Sequence, residues 1–416
     1  MISILGNPLA GATRHEKALI INCGSSSVKY ACFDSSDPRR VLRGRVERLR
    51  GPDTRLLHRS GTQEILQQLP SGGYEQALHA ILQLLAGAEP AQATHTSSPT
   101  FIAHRVVHGG EQFSAPAVVD DAVLARLEFL NNLAPLHNPA NVAGIIAARR
   151  VFPGIPHVAV FDTAFHQTLP PHAYLYALPY ELYQNHHVRR YGFHGASHAY
   201  AALAGARTLG RSAEHLRIIT CHLGAGASVC AVNQGCSVDT SMGFTPSEGL
   251  VMSTRCGDLD PAVVPFLQRI TGMNYEEVEK LLNHHSGVAG LTGLGGDMIE
   301  IERQAELGHP RARLALAIYA YRLKKYLGAY AAVMGGVDLV VFTGGVGQGS
   351  PWIREQALQG LEFLGIELDT ARNRHARGHD EICRITSAAA RVPVLIVPAD
   401  EEWMLAREAL RALNQA

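Results

Sequence analysis

The chain shows two kinds of hydrophobic pattern along its length. Short apolar runs bounded by glycine or polar turns predict buried strands. These runs lie at 18–23, 28–33, 101–107, 157–162, 217–223, 227–232, 339–345 and 392–398. Apolar residues at helical spacing predict helices near 74–86, 120–133, 140–150, 261–270, 276–283, 297–307, 311–335 and 401–413, and another that starts near Pro351. Strands that alternate with helices in this way are typical of an α/β fold.

Two of the predicted hairpins resemble each other, although about 200 residues separate them. INCGSSSVKYACF and TCHLGAGASVCAV each contain an apolar strand with a cysteine, a small-residue turn, and Ser-Val at the start of a second strand. The likeness indicates that the chain contains one structural unit twice. A chain of 416 residues is also longer than one compact core usually allows, so we expect two domains.

Composition narrows the possible partners and the compartment. Lys plus Arg equals Asp plus Glu, 37 against 37, which gives no support for a nucleic acid or an anionic membrane surface as partner. The seven cysteines form no CxxC pair and lie mostly in apolar runs, as expected of buried thiols in a reducing compartment. Residues 1–17 do not have the pattern of a signal peptide, and no apolar stretch reaches the ~18 residues of a membrane span. We therefore expect a cytoplasmic protein with no membrane partner.

Three turns rich in glycine or serine follow predicted strands and are candidates for phosphate binding. GSSSVK, GAGAS and GGVGQGS leave backbone N–H groups uncovered, and Lys29 adds a cation to the first. The GxxxxGK[ST] pattern of a P-loop is absent, and each turn alone is also compatible with a plain hairpin. Arg105 in AHRVVHGG, Arg255 in GLVMSTRCGDLDP and His194 in YGFHGASH are candidates for anion contacts. An ion-paired or core role is the alternative for each of them.

Taken together, these motifs resemble the acetate kinase family, part of the acetate and sugar kinase/heat-shock/actin superfamily. The resemblance extends from about residue 18 to the C-terminus. It rests on NCGSSSVK, HRVVHGG, LAPLHNP, VFDTAFHQT, YALPYELY, RRYGFHGASH, CHLGAGAS, DTSMGFTPSEGL, STRCGDLDP, FTGG and PADEE, in that order. It implies two duplicated ribonuclease-H-like (actin-like ATPase) domains with a cleft between them. The first would comprise 18–164 plus 401–416 and the second 165–400, after an N-terminal extension at 1–17 that has no counterpart in the family pattern.

The same resemblance implies reversible phosphoryl transfer from ATP to acetate, giving acetyl phosphate and ADP, in a homodimer that uses Mg²⁺, with Mn²⁺ as a possible substitute. The family's catalytic residues correspond to Asp162, His194 and Arg255. Its substrate-binding residues correspond to Arg105, Val107, Leu136, Phe193 and Pro246. Its nucleotide-binding residues correspond to Ser25, Ser27, Lys29, His222, Leu223, Gly224, Ala225, Gly226, Asp297, Met298, Ile299, Gly345, Val346, Gly347, Gln348 and Gly349. Its metal-associated residues correspond to Asn22 and Glu401, with the adjacent Glu402 as an alternative to the latter.

The chemistry of the implied reaction agrees with these roles. A carboxylate acceptor has a pKa of about 4–5 and is ionised at neutral pH, so no general base is needed. The barrier lies instead in bringing an anion to a polyanion and in the charge of the in-line transition state. Two arginines, a histidine, a lysine and Mg²⁺ would compensate that charge. Asp162 would repel both substrates, so we expect it to organise the metal and its water.

The sequence departs from the family pattern at several positions. Ala225 replaces the asparagine of HLGNG, and Gln348 and Gly349 stand where the family reads GxGEN. Ser253 replaces a glycine, and the glycines at 295 and 296 lie in a turn that usually carries serine or asparagine. All but Ser253 belong to segments that the family uses to hold its nucleotide.

Three alternatives to an ATP-dependent acetate kinase remain, and the first of them follows from these departures. The phosphoryl donor could be another nucleotide or pyrophosphate, which needs a phosphate cradle but no adenine pocket. The acceptor could be propionate or another short-chain acid, because one methylene discriminates by only about 1–3 kcal/mol. A third alternative is a catalytically inactive nucleotide-binding or interaction protein of the same superfamily. Retention of all four charged catalytic and substrate-binding residues argues against the third alternative.

Overall fold

Strands and helices of the computed structural model follow the predicted α/β pattern. The structure describes residues 5–10, 12, 15–37, 42–49, 51–60, 63–87, 98–376 and 381–415. The strands are β1 Lys17–Cys23, β2 Ser27–Asp34, β3 Leu42–Glu47, β4 Arg55–Ser60, β5 Gln63–Gln68, β6 Phe101–Val106, β7 Ala117–Val118, β8 His157–Phe161, β9 Arg217–Leu223, β10 Ala227–Asn233, β11 Cys236–Thr240, β12 Leu339–Thr343, β13 Cys383–Arg384 and β14 Val394–Ile396. The helices are α1 Tyr74–Gly87, α2 Asp121–Phe129, α3 Asn138–Val151, α4 Pro171–Tyr174, α5 Tyr180–His186, α6 Gly195–Thr208, α7 Val263–Thr271, α8 Tyr275–His284, α9 Gly287–Thr292, α10 Met298–Glu306, α11 Pro310–Val333, α12 Gly344–Gly349, α13 Pro351–Leu358, α14 Thr370–His375 and α15 Glu401–Gln415.

The chain divides into two compact units, residues 1–164 with 400–416 (unit 1) and residues 165–399 (unit 2). The sheet of unit 1 has the order β5-β4-β3-β2-β1-β6-β8-β7, and that of unit 2 has the order β11-β10-β9-β12-β14-β13. In both, an antiparallel meander leads into two parallel strands and a final short antiparallel strand. The shared order confirms the duplication that the two similar hairpins predict. Part of the predicted extension at 1–17 lies outside the described residues.

In unit 1, helices cover the faces of the sheet according to the alternation of side chains along each strand. Leu19, Ile21 and Cys23 of β1 belong to a core that also contains residues of α1 and α3. The other face is covered by α15, which packs against β1, β6 and β8. The polar residue Asn22 therefore lies on the face of β1 covered by α15.

In unit 2, α6 lies over the face of β12 that carries Leu339 and Val341, because the backbone of Gly205 in α6 comes close to both side chains. The register pairs Val341 with Thr220 of β9, which places Thr220 under the same helix. The long helix α11 packs against β9 and β10. No helix among the described residues is long and apolar enough to cross a lipid bilayer.

Several elements were not predicted, among them β3, β4, β5 and α6. Two differences from the predicted pattern have identifiable reasons. All six residues of β5 are exposed, so the strand has no buried alternation that a sequence pattern would show. The second is the GGVGQG segment, which forms the short helix α12 instead of a plain turn. Helix ends leave carbonyl groups without partners. Here the buried guanidinium of Arg354 donates to the carbonyl groups of Gly347 and Gln348 and so stabilises a helix that glycine would otherwise disfavour.

Candidate active site

Arg105 and Asp162 pair at the carboxyl ends of two parallel strands of unit 1. Arg105 belongs to β6, and Asp162 follows β8 directly. Nε and Nη2 of Arg105 donate to Oδ1 and Oδ2 of Asp162 over 2.8 and 2.6 Å, a bidentate pair in which the carboxylate is only 3% exposed. Burial alone disfavours the charged guanidinium, but the carboxylates of Asp162 and Glu401 outweigh it and raise the pKa of Arg105 above its ordinary value. The arginine is thus held both charged and oriented.

The start of α15 brings a second carboxylate to Arg105. Glu401, the first residue of the helix, places Oε2 at 3.9 Å from Nη1 of Arg105. Asp400, directly before it, accepts a 3.3 Å hydrogen bond from a backbone N–H in the first turn and a 2.6 Å one from Nη2 of Arg43. These bonds fix where the helix begins, and with it the position of Glu401.

Asn22 and Lys29 lie on the same face of the sheet as Arg105. They are directly opposite each other on β1 and β2. Ile20 pairs with Ala103, so the residues two positions further along, Asn22 and Arg105, also point to one face. Asn22 is half-buried and Lys29 is exposed. Unit 1 therefore places an amide, two carboxylates and two cations along one edge of its sheet.

The first phosphate-turn candidate is held through its carbonyl groups. The N–H of Gly24 donates to the carbonyl of Ser27 over 2.8 Å and closes the turn. The hydroxyl of Tyr74 donates to the carbonyl of Gly24 over 2.8 Å, and the N–H of Leu49 donates to the carbonyl of Ser26 over 3.1 Å. Ser25 remains exposed, and Ser27 is half-buried. This turn can therefore present hydroxyl and N–H groups to an anion.

Two candidate wall residues of the acyl pocket belong to neighbouring loops of unit 1. The N–H of Val107 donates to Oδ1 of Asn141 over 3.0 Å. Asn138 exchanges two 3.0 Å hydrogen bonds with the backbone of His108. Because Asn138 begins α3 and Leu136 precedes it by two residues, these bonds bring the two loops together. Val107 is half-buried and Leu136 is 50% exposed.

His194 of unit 2 stands immediately before α6 in an uncommon backbone conformation. Its φ of 59° lies in the left-handed region, which a residue other than glycine adopts only with support. Nε2 of His166 donates to the carbonyl of the preceding Phe193 over 3.0 Å. Nδ1 of His194 lies 2.9 Å from Oγ of Ser228, and its ring stacks on that of His222 with centroids 4.2 Å apart. Side chains from two strands and a loop thus hold the ring in place.

His194 and Arg255 converge on the second phosphate-turn candidate. A Cβ placed on Gly226 would lie 3.3 Å from Cε1 and 3.4 Å from Nε2 of His194, and 3.4 Å from Nη1 of Arg255. The turn itself is closed by the N–H of Gly224, which donates to the carbonyl of Gly226 over 2.9 Å. Glycine at position 226 therefore allows the ring and the guanidinium to lie against the turn together.

The loop that carries Arg255 is bonded to the same turn. The N–H of Ser253 donates to the carbonyl of Ala225 over 3.1 Å, a bond that does not depend on the side chain at 225. Nη1 of Arg255 donates to the carbonyl of Pro246 over 3.1 Å. Burial lowers the pKa of Arg255, but an arginine stays charged at neutral pH. Phe193, the wall candidate next to His194, is only 1% exposed.

Ser253 and Gly296, two of the departures from the family pattern, are in direct contact. Oγ of Ser253 donates to the carbonyl of Gly296 over 2.8 Å. A Cβ placed on Gly296 would overlap this hydroxyl. The serine at 253 thus occupies the space that a side chain at 296 would take.

The remaining nucleotide-segment candidates differ in exposure. Asp297 caps α10 by accepting a 3.0 Å hydrogen bond from the N–H of Ile299, whose side chain is 81% exposed. Gln348 is buried and accepts a 3.1 Å hydrogen bond from the N–H of Ala399. A Cβ on Gly349 would meet no atom within 4 Å, so a side chain fits there.

Comparison with known proteins identifies the family. The model of the Acetokinase family matches residues 17–407. The chain belongs to the acetokinase family. It is 47% identical over 394 residues to an acetate kinase of Caldanaerobacter subterraneus subsp. tengcongensis, covering 94% of this chain and 98% of that one.

Solved structures lead to the same family. The crystal structure of Porphyromonas gingivalis acetate kinase has a TM-score of 0.89 at 42% identity, covering 96% of this chain and 100% of that one. The crystal structure of a propionate kinase from Francisella tularensis has a TM-score of 0.88 at 35% identity, covering 95% and 99%. These similarities confirm the predicted family and its duplicated fold.

This acetokinase also contains a supporting network that the sequence analysis did not assign. Arg190 pairs with Glu248 over 2.6 Å, and the hydroxyl of Tyr176 donates to the same carboxylate over 2.5 Å. The hydroxyl of Tyr176 also accepts a 2.8 Å bond from the N–H of Phe244. The network holds the loop that leads to Pro246. Its members lie in motifs that carry the family resemblance, and this was the signal that could have identified them.

Proposed function

We propose that this acetokinase is an acetate kinase that transfers the γ-phosphoryl group of ATP to acetate, giving acetyl phosphate and ADP. It is a phosphotransferase with a carboxyl group as acceptor, as the family and its acetate kinase relatives support. The observation that carries the proposal is the convergence of His194 and Arg255 on the glycine turn at Gly226. Donors gathered at a turn of backbone N–H groups suit a transferring phosphoryl group.

The proposal assigns charge compensation to the arginines and the histidine. The acceptor carboxylate attacks phosphorus while the bond from phosphorus to the β,γ-bridging oxygen breaks, and no proton moves. Arg105, which its carboxylate partners hold charged, would bind the acetate. His194 and Arg255 would stabilise the charge on the transferring phosphoryl oxygens. Asp162, already paired with Arg105, would orient that arginine and the metal and would not act as a base.

The residues of unit 1 fit a magnesium ion. Among the described residues no cluster of three or more His, Cys, Asp or Glu side chains has the arrangement of a protein metal cage. Mg²⁺ in kinases is usually held by one or two protein oxygens, with phosphates and water completing the set. The amide oxygen of Asn22 and the carboxylates of Asp162 and Glu401 are hard donors of this kind, and we assign the metal to them. When bound, the ion would neutralise phosphate charge.

ATP is the proposed donor, with pyrophosphate as the competing possibility. The carbonyl of Ala225 keeps its bond to the Arg255 loop, so the loss of an asparagine side chain at 225 does not dismantle the turn. Gln348 still bonds to the backbone of Ala399, and Gly349 leaves open space. The backbone that would hold phosphate thus keeps its hydrogen bonds, and the substitutions would remove only side-chain hydrogen bonds.

We further propose a homodimer formed through unit 2. Phe266 and Ile270 lie one helical turn apart on α7 and are 48% and 59% exposed, and Leu259, shortly before the helix in the chain, is 41% exposed. Neighbouring exposed apolar side chains of this kind are typical of an interface. Analytical ultracentrifugation should show a dimer that Phe266→Asp with Ile270→Asp shifts toward monomer. A wild-type monomer at micromolar concentration would contradict this assignment.

The decisive experiment is a hydroxamate assay for acetyl phosphate with ATP, GTP and pyrophosphate compared side by side, and with acetate and propionate as acceptors. Arg105→Ala and Arg255→Ala should each lower kcat/KM by about 10²–10⁴, because each removes charge compensation from the reaction. Lysine at either position should restore only part of the loss, since an ammonium group cannot bind two oxygens in a plane.

Arg303→Ala is the matched control, because among the described residues this surface arginine pairs only with Glu300, whose carboxylate also accepts a hydrogen bond from the side chain of Gln304. It should leave activity unchanged. Activity within threefold of wild type for either Arg105→Ala or Arg255→Ala would contradict the proposed roles.

A further inference from the structure

A chain of hydrogen bonds runs from the interior of unit 2 to His194. Oγ1 of Thr220 lies 2.7 Å from Nδ1 of His198. Nε2 of His198 lies 2.7 Å from Oγ of Ser228, which in turn lies 2.9 Å from Nδ1 of His194. Thr220, Ser228 and His198 are each 0% exposed. The order of donors and acceptors along this chain decides which nitrogen of His194 carries a proton.

The hydroxyl of Thr220 determines the direction at the inner end. Within the part of the chain that the structure describes, its only hydrogen-bond partner is Nδ1 of His198. If Nδ1 were the donor, the buried hydroxyl hydrogen would have no acceptor. The cost of one orphaned buried donor corresponds to a preference of about 5- to 150-fold for the other direction. The hydroxyl of Thr220 therefore donates to Nδ1 of His198.

Because His198 is neutral, the bond from Thr220 also determines the direction of its bond to Ser228. Burial, together with the neighbouring His166 and His222, holds the pKa of His198 well below its ordinary value. A neutral imidazole carries one proton, and with Nδ1 accepting, that proton is on Nε2. Nε2 of His198 then donates to Oγ of Ser228. The single hydroxyl hydrogen of Ser228 is left to donate to Nδ1 of His194.

On this basis we propose that Thr220, His198 and Ser228 are positioning residues that hold neutral His194 as the tautomer with its proton on Nε2. Only the effect of this tautomer on kcat rests on the proposed phosphoryl transfer; the tautomer itself does not. Nε2 lies on the side of the ring that faces Gly226 and the Arg255 guanidinium. A neutral His194 can thus donate to a phosphoryl oxygen beside Arg255, without needing a second proton.

Among the described residues, the charged and titratable groups that face His194 are His222 stacked on its ring, His198 behind Ser228 with His166 next to it, and Arg255 across the turn. With this relay of Thr220, His198 and Ser228 intact, the ring still donates from Nε2 after it loses its second proton, so kcat should not fall as the pH rises. With the relay reversed, only the doubly protonated ring would donate from Nε2, and kcat would fall.

The direct test is nitrogen NMR of the wild-type protein labelled with ¹⁵N-histidine, at a pH where His194 is neutral. The His194 signals are assigned by their loss in His194→Asn. We expect Nε2 with the shift and proton coupling of a protonated nitrogen, and Nδ1 with those of an unprotonated one. A proton found mainly on Nδ1 would overturn the proposal, whatever the activity of the enzyme.

The kinetic test uses Thr220→Val, which keeps the shape of the side chain and removes its hydroxyl. Thr220→Ser retains the hydroxyl, and Thr292→Val removes a buried hydroxyl that bonds within its own helix, to the carbonyl of Val288. We expect kcat of Thr220→Val to equal that of wild type at low pH, where His194 carries both protons. At high pH it should be about two- to tenfold lower, as the neutral tautomers become mixed.

The two reference variants should follow wild type at every pH, and KM for acetate should change less than twofold in all three. A kcat ratio between Thr220→Val and wild type that does not depend on pH would mean that Thr220 has only a structural role, and would overturn the relay. Failure of the proposed function would show differently, as absence of acetyl phosphate formation by the wild-type protein. The NMR result does not depend on that activity.

Discussion

The contact between Ser253 and Gly296 predicts that substitutions at these positions are strongly coupled. Gly296→Ser alone places a side chain in the space of the Ser253 hydroxyl, which costs about 1–3 kcal/mol through overpacking. It also breaks the hydrogen bond between them, worth about 0.5–1.5 kcal/mol. Ser253→Gly alone loses the same bond. The double variant removes the overlap with the hydroxyl, leaving only a 3.2 Å contact of the new Cβ with the carbonyl oxygen of residue 253, and loses the bond only once.

The sum of the two single-variant losses exceeds the loss of the double variant by the overlap and by one hydrogen bond, which each single variant loses separately. The coupling energy is therefore about 1.5–4.5 kcal/mol. It is measured by urea unfolding at 25 °C of the four proteins of the cycle. Because the chain has two tryptophans, Trp403→Phe in all four leaves Trp352 of unit 2 as the fluorescent probe. Circular dichroism should give the same midpoints, which is required for a two-state treatment.

Additivity within about 0.5 kcal/mol would refute the reasoning. It would mean that the loops of Ser253 and Gly296 move apart at little cost, so that neither residue restricts the other. A coupling of the expected size would instead show that the two departures from the family pattern are one compensated change, and not two independent losses of nucleotide contacts.

Four further predictions follow from the site and the buried histidines. Val107→Ala should reduce the preference for acetate over butyrate in kcat/KM, by no more than the roughly 10- to 200-fold that one methylene contributes; an unchanged ratio would show that Val107 does not line the pocket. Gly226→Ala should lower kcat about 10- to 100-fold by displacing the ring and guanidinium beside it, whereas Gly328→Ala, in open space, should not; equal activities would contradict the convergence. Ala225→Asn with Gly349→Asn should lower the KM for ATP about tenfold without changing that for acetate. Faster turnover of pyrophosphate than of ATP by the wild-type protein would instead favour the competing donor. Stability should decrease as the pH falls from about 6.5 to about 4, since burial lowers the pKa of three histidines to about 4 and unfolding then takes up their protons; urea midpoints that stay constant over this range would be inconsistent with these neutral residues, His108, His157 and His166.

The sequence by itself determined eight of the strands (β1, β2, β6, β8, β9, β10, β12 and β14), the repeated hairpin and the family. Apolar runs indicate buried segments. The turns of the two hairpins need small residues close together in the sequence, so glycine and serine mark them. Gly226 is one of these small residues, and the whole turn consists of neighbouring residues in the sequence, which a local pattern can detect. The motifs also identified His194 and Arg255 as candidates, although only through resemblance to a family.

Only the tertiary structure decided which of these residues meet. Arg105 and Asp162 are 57 residues apart, and their pairing depends on the parallel alignment of β6 and β8. The helix at Gly344–Gly349 contradicts glycine's propensity because Arg354 supplies its missing donors. In the proposed relay the protonation of His194, directly before α6, depends on Thr220 of β9, which is linked to it through the side chains of His198 and Ser228. Hydrogen bonds of this kind have no periodicity along the chain, so a sequence pattern contains no trace of them until folding places the partners side by side.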